Sequence, residues 1–293
     1  MPHFLTRDGV RLFYEDSGAG TPIVFVHEFA GDYRSYEPQV RYFSRRYRCL
    51  TYNARGYPPS DVPSDPAAYS QVNACNDLLA LLDHLHIDSA HLVGVSMGSF
   101  TALYVAISTP KRVRSAVIAG CGFGADPAQH QQVAQDIDET AADIEREGMA
   151  AFAQVYGHGP ARIQFKNKDQ RGWQEMVNML ADHSAQGAAL TLRGVQKARP
   201  SLYDLTDQLS RMNVPLLIVA GDEDEPCLEP SIYLKRTIPS AGLAFLPRTG
   251  HTVNLEEPAR FNELCTELFT LSDAGSAILR DPAATRRNSF GKS

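Results

Sequence analysis

The chain has 293 residues, 43% hydrophobic and 21% charged, with 28 Lys+Arg against 34 Asp+Glu for a formal net charge of -6. This composition excludes a wholly disordered or collagen-like chain, and the acidic surplus without any Lys/Arg run argues against a nucleic-acid binder or a polybasic membrane anchor. No apolar run reaches the ~18 residues of a membrane-spanning helix.

In chain order, Val10–Glu15, Pro22–His27, Arg48–Asn53, His91–Val95, Ala116–Ala119, Pro215–Ala220 and Leu243–Leu246 read as strands. Several are continuously apolar, as strands covered on both faces are. Asp8-Gly9 is a hairpin-turn signal. Between the runs, Tyr69–Leu85, Met97–Ser108, Glu229–Ile238 and Pro258–Leu271 read as helices. In the first of these, Val72, Leu78, Leu79, Leu81, Leu82 and Leu85 gather mostly on one face. Strand–helix alternation predicts an α/β protein, a mainly parallel twisted sheet with helices on both faces and right-handed crossovers.

Between 125 and 210 the alternation stops. Gln129–Arg146, Met149–Tyr156, Trp173–Ser184 and Ala188–Arg199 all read as helices, in a stretch too long for a simple crossover. The expected organisation is a core made of 1–124 and 211–272, an inserted helical cap at 125–210 over one edge of the sheet, and a loose polar tail at 273–293. Arg286-Arg287-Asn288-Ser289 in that tail has the form of a phosphorylation site. The opening Met1-Pro2-His3-Phe4 lacks the charged and apolar regions of a secretory leader. The five scattered cysteines, Cys49, Cys75, Cys121, Cys227 and Cys265, form no CxxC pair, so free thiols in a reducing cytoplasm are expected.

The strongest chemical signal is Gly94-Val95-Ser96-Met97-Gly98, placed between the buried run His91-Leu92-Val93 and the helix Met97–Ser108. A sharp strand-to-helix turn strains the backbone at the serine, and glycines two residues to either side let the chain turn without a Cβ clash. Such a turn projects the Ser96 hydroxyl from the carboxyl edge of the sheet, over the positive end of the helix.

On these residues the chain resembles the α/β-hydrolase fold superfamily, in the branch with a helical cap inserted after the sixth strand. The likeness spans roughly Phe4 to Leu271. It implies a serine, an acid and a histidine in that order along the chain. Asp224, in Gly221-Asp222-Glu223-Asp224, matches the family's acid, with Asp222 as the alternative. His251, in Gly250-His251-Thr252, lies one strand later where the family places its base. Asp224 would orient the imidazole, and His251 would take the Ser96 proton as the hydroxyl attacks. The family's oxyanion donors map onto the backbone N–H groups of Met97 and Phe29, the latter in His27-Glu28-Phe29.

Glu28 departs from the pattern, since the family usually has glycine there. Two readings of it are open: it pairs with a cation and props the loop, or it faces the substrate, as in dienelactone hydrolases, which it resembles in part. Asn53-Ala54-Arg55-Gly56 resembles the family's Asp-x-Arg-Gly loop, so Arg55 is read as tying loops beneath the site, with pairing to Glu28 as the lesser alternative. Phe152, Tyr156, Phe165, Trp173 and Met176 are candidate pocket walls in the cap, with more than half of them read as packing the cap onto the core, and Trp173 is a candidate for contact with the substrate or for support behind it. Cys227 has acidic neighbours that disfavour its thiolate and is read as passive. His84 and His86 lack a third ligand nearby in sequence and are not read as a metal site.

The resemblance thus implies a cytoplasmic serine hydrolase acting on a small-molecule ester or lactone, with no metal or organic cofactor and no nucleic-acid or membrane partner. Carbon–carbon bond hydrolases, enol-lactonases and perhydrolases share this pattern. A ligand-binding receptor or scaffold with little turnover keeps the same fold.

Overall fold

A computed structural model describes residues 2–276, 279–281 and 283. In chain order the elements are β1 (His3–Leu5), β2 (Arg11–Gly18), β3 (Pro22–Val26), α1 (Glu37–Phe43), β4 (Arg48–Tyr52), α2 (Gln71–His84), β5 (Ala90–Val95), α3 (Met97–Ser108) and β6 (Val113–Ala119). There follow α4 (His130–Glu147), α5 (Met149–Gly157), α6 (Ile163–Lys168), α7 (Gln170–Ala181), α8 (Ala185–Thr191) and α9 (Thr206–Ser210). The chain then closes with β7 (Leu216–Gly221), α10 (Glu225–Thr237), β8 (Ala241–Leu246), α11 (Val253–Glu256) and α12 (Pro258–Asp273).

The strands form one sheet in the order β1-β2-β4-β3-β5-β6-β7-β8. β2 pairs antiparallel with β1 and β4, and every later pairing is parallel. All seven predicted runs are strands. β1 was not among them, because three residues carry too little periodicity to read. The alternation of side chains along each strand divides the core into two layers. Val24, Leu92, Ile118 and Ile218 pack with α2 and α3 through Leu78, Leu81 and Leu103. Phe25, Val93, Val117 and Val219 pack on the opposite face against Phe43 of α1 and Phe261 and Phe269 of α12. Each such side chain, fully buried, contributes about 1.5–3 kcal/mol, which makes the central strands a rigid platform.

The helices α4–α9 lie between β6 and β7, and α4–α8 hold a third apolar cluster, which takes in Phe29 and Met97 from the sheet edge. Two glycines let this layer press on the core loops: a Cβ at Gly187 would lie 2.0 Å from the Gly56 carbonyl oxygen, and one at Gly194 2.2 Å from that of Tyr69. The predicted helix Ala188–Arg199 is instead α8 followed by a π-helical turn at Leu192–Lys197, which carries Gly194 to that contact.

The stretch 273–293 was expected to be loose, and its described residues are not uniformly so. Asp273 ends α12 and accepts hydrogen bonds from Arg114 at 2.8 Å, with His91 Nε2 at 3.2 Å. Arg280 donates through its backbone to Pro239 and through its guanidinium to the Lys235 and Arg236 carbonyls at the end of α10. The Arg286–Ser289 motif lies outside the described residues. All five cysteines are free and buried. No described helix is long and apolar enough to cross a membrane.

Candidate active site

Ser96 stands between β5 and α3 with φ 51° and ψ −118°, a conformation costly for a residue with a side chain. The flanking glycines explain how it is imposed. A Cβ at Gly94 would fall 2.3 Å from the Gly98 carbonyl oxygen, and one at Gly98 only 1.9 Å from that of Val26. The backbone of β3, β5 and α3 therefore closes to a distance that no larger residue permits. The Ser96 N–H is held by the Ala119 carbonyl at 2.8 Å. Ser96 stays partly accessible while its neighbours on both sides are buried.

Sheet register sets the imidazole against Gly120, the residue that leaves the sheet alongside Ser96. Val95 pairs with Ala119, so Ser96 and Gly120 leave the sheet side by side. The His251 ring packs on Gly120: a Cβ there would meet Cε1 at 3.2 Å and Nδ1 at 3.3 Å. The next strand pair is equally close, since a Cβ at Gly221 would lie 2.0 Å from the Thr249 carbonyl oxygen. The loops after β7 and β8 are thereby laced together, with Glu223 N–H donating to Thr249 O at 3.0 Å.

Asp224 Oδ2 lies 2.7 Å from His251 Nδ1, and both groups are buried. Asp222 does something else: exposed, it accepts the Thr249 N–H at 3.2 Å and so shapes the turn that leads to His251. Burial disfavours the charged imidazolium, but the Asp224 carboxylate outweighs it by charge and hydrogen bond, so the His251 pKa is raised above its ordinary value. Burial likewise pushes Asp224 up, and the charge and hydrogen bond of His251 bring it below its ordinary value. The arrangement holds Nδ1 as a donor and leaves Nε2 as the nitrogen able to accept a proton.

The loop after β3 is a second built feature. His27 Nδ1 meets the Glu28 carbonyl at 2.7 Å while Nε2 takes the Ala54 N–H at 3.0 Å, which fixes a neutral tautomer. Burial drives its pKa down to about 4. Tyr57 donates to the Phe29 carbonyl at 3.1 Å and so anchors the loop at the next residue. The Phe29 N–H has no acceptor among the described residues, and the Met97 N–H is the first of α3, an orphan donor of any helix start.

Glu28 pairs with Arg162, not with Arg55. Arg162 Nη1 and Nη2 reach Glu28 Oε1 and Oε2 at 3.0 and 2.5 Å, and Nη2 also reaches the Tyr156 hydroxyl at 2.8 Å. Arg162 is fully buried and Glu28 is 3% exposed. The neighbouring Ala161 carbonyl accepts the His251 N–H at 3.3 Å. One short stretch between α5 and α6 thus touches both the loop after β3 and the histidine. Arg55 ties loops beneath the site, as its motif suggested: it binds Asp77 at 2.6 and 2.8 Å, Asp8 at 2.8 Å and the Ala68 carbonyl at 2.8 Å.

Of the aromatic residues singled out between β6 and β7, Phe152 stands edge-on to Phe29 at 6.1 Å, and Tyr156 packs at a tilt against Phe152 at 5.2 Å. Trp173 does not share that position. It is buried within the helical layer, donates to the Gly157 carbonyl at 2.6 Å and carries Lys166 over its ring at 4.6 Å. Phe165 and Met176 belong to the same packing cluster.

Two residues were missed in sequence. Arg162 sits in a stretch without periodic signal, and nothing local distinguishes it from other surface-type arginines. Glu256 is buried and accepts the Gly250 N–H at 2.8 Å and the Thr252 N–H at 3.1 Å, clamping the backbone on both sides of His251. Its i,i+4 spacing to Thr252 was the available signal.

Comparison with known proteins agrees with this layout. The sequence profile described as alpha/beta hydrolase fold matches residues 21–258. 3-Oxoadipate enol-lactonase 2 of Acinetobacter baylyi is 28% identical over 261 residues, 88% of this chain and 92% of its own. Among solved structures, the enol-lactonase from Burkholderia xenovorans LB400 superposes with a TM-score of 0.80 at 22% identity, covering 92% of this chain and all of the other. A thermophilic esterase from Thermogutta terrifontis superposes with a TM-score of 0.81 at 24% identity, covering 92% of this chain and 98% of the other. At these identities the two structural likenesses concern the fold.

Proposed function

This chain belongs to the alpha/beta hydrolase fold family, and on that premise we propose that it hydrolyses a small carboxylic ester or lactone through an acyl-enzyme. The observation that carries the reading is the 2.7 Å contact between His251 Nδ1 and Asp224, with the ring packed on Gly120 beside the strained Ser96 turn. The likeness in sequence to 3-oxoadipate enol-lactonase 2 of Acinetobacter baylyi supports the same class.

In this mechanism His251 Nε2 takes the Ser96 proton as Oγ bonds to the substrate carbonyl carbon. The oxygen that gains negative charge is met by the N–H groups of Met97 and Phe29, each such donor being worth about 10²–10³ in kcat. The imidazolium, steadied by Asp224, then gives its proton to the departing alkoxide oxygen, so alcohol is released or the lactone ring opens. A water molecule deprotonated by the same nitrogen attacks the acyl carbon, the bond to Ser96 Oγ breaks as the imidazolium returns its proton to Oγ, and the acid leaves. The helices from 125 to 210 act as a cap: Phe152 and Tyr156 line the approach to Phe29, and the contact of Ala161 and Arg162 with the core excludes water.

The test is a panel of short-chain nitrophenyl esters, lactones and ring-cleavage products, with fluorophosphonate labelling as a second readout. Stoichiometric labelling and ester or lactone turnover, both abolished in Ser96→Ala, are expected. Turnover that survives Ser96→Ala, or weak labelling with no turnover on any member of the panel, overturns the reading and leaves a binding protein on this fold.

A further inference from the structure

Cys227 is a nucleophilic group beside Asp224 and His251 that the proposed mechanism does not use. It lies in the first turn of α10, three residues after Asp224, and its N–H donates to the Asp224 carbonyl at 2.8 Å. That spacing puts both side chains on one face of the helix start. One ligand atom each from Asp224, Cys227 and His251 lie within 4.8 Å of one another, and all three residues are buried. We propose that Asp224, Cys227 and His251 form an inhibitory site for a borderline or soft divalent cation, with zinc and cadmium as the fitting members.

The donor set argues for that class. An imidazole nitrogen, a carboxylate oxygen and a sulfur are the ligands of tetrahedral zinc, whereas magnesium and calcium take oxygen donors. Bond lengths of about 2.0–2.1 Å to nitrogen and oxygen and about 2.3 Å to sulfur place tetrahedral ligand atoms ~3.3–3.6 Å apart. The sulfur is within reach of that geometry. The imidazole and carboxylate, now 2.7 Å apart, have to separate by a fraction of an ångström. The charges also close: a dication with one carboxylate, one thiolate and a neutral imidazole sums to zero, which a buried site requires. Arg162, the nearby cation, already has its charge matched by Glu28.

Occupation switches the site off through the imidazole tautomer. A neutral ring that binds metal through the Nδ1 lone pair carries its remaining proton on Nε2. That nitrogen then donates where the mechanism needs it to accept, and it cannot take the Ser96 proton. The proton balance is one thiol proton released per cation bound, with the ring proton relocated from Nδ1 to Nε2.

The consequence for turnover rests on the proposed hydrolase reading, so the test has two arms. In the first, ester turnover is titrated with zinc chloride, cadmium chloride and magnesium chloride, each variant being compared with its own metal-free rate. Inhibition by zinc and cadmium, none by magnesium, reversal by a chelator, and at least a tenfold higher half-inhibiting zinc concentration in Cys227→Ser are expected. Equal zinc sensitivity in Cys227→Ser overturns the proposal. In the second arm, cobalt(II) is added to the unmodified chain and to Ser96→Ala. A near-ultraviolet thiolate-to-cobalt band in both, displaced by zinc, lost in Cys227→Ala and kept in Cys121→Ser, is expected. Absence of the band from the unmodified chain overturns the site without reference to activity. A chain that shows the band but no serine-dependent turnover keeps the metal site and loses the hydrolase reading.

Discussion

Two buried side-chain pairs lie at and beside His251, and they are built in different ways. Asp224 and His251 come from the loops after adjacent parallel strands, and the register of β7 on β8, with Gly221 opposite Leu246, brings them together. Glu28 and Arg162 are 134 residues apart and join the loop after β3 to the helical layer. The first pair is a product of the sheet and is as rigid as the sheet. The second depends on how the inserted helices sit, and it is the one that couples their position to the site. On the proposed mechanism, chemistry is held by the core, and access by the layer above it.

The comparison breaks most sharply at the sheet-built pair. His251→Ala is expected to lower kcat about 10⁴-fold or more with little change in the unfolding midpoint, measured by ester turnover and denaturant titration. An equal fall in stability makes His251 a packing residue. Within the same pair, Asp224→Asn is expected to cost about 10³–10⁴ in kcat, because the amide no longer fixes the tautomer, while Asp222→Asn costs less than about threefold. The reverse ranking moves the acid role to Asp222.

The layer-built pair fails differently. Arg162→Met leaves the Glu28 carboxylate buried without its cation and is expected to cost about 3–5 kcal/mol in denaturant unfolding, most of it recovered by adding Glu28→Gln. No recovery in the double variant means that Arg162 stabilises by packing alone. The smallest effect concerns acidity. His251 is raised above its ordinary value, so kcat/KM climbs with pH through a midpoint above about 6.5. Glu28 acts to raise His251 and Arg162 to lower it, so Glu28→Gln unmasks the cation and moves this midpoint to lower pH. A shift to higher pH removes Glu28 from the electrostatics of the base.

Legibility followed the range over which each feature is specified. The Ser96 turn is visible in five consecutive residues, because strand, turn and helix start are all local and the glycines answer local clashes. Asp224 and His251 were reached by their order along the chain, and the separate work of Asp222 on Thr249 became visible only with coordinates. For Trp173 the sequence left pocket wall and packing both open, and the coordinates show its indole donating to the Gly157 carbonyl inside the helical layer. Its residue type carries no information on which face of a helix it will share with a substrate.

What the sequence by itself determined is the alternation that makes the sheet, the interruption at 125–210 and the strained serine, since periodicity and steric exclusion act between near neighbours. What only the tertiary structure decided is which partners the buried charges near the site take: Arg162 for Glu28, Asp77 and Asp8 for Arg55, and the backbone beside His251 for Glu256. A buried charge needs a partner, but any of many residues can supply one, and packing over long sequence distances selects which.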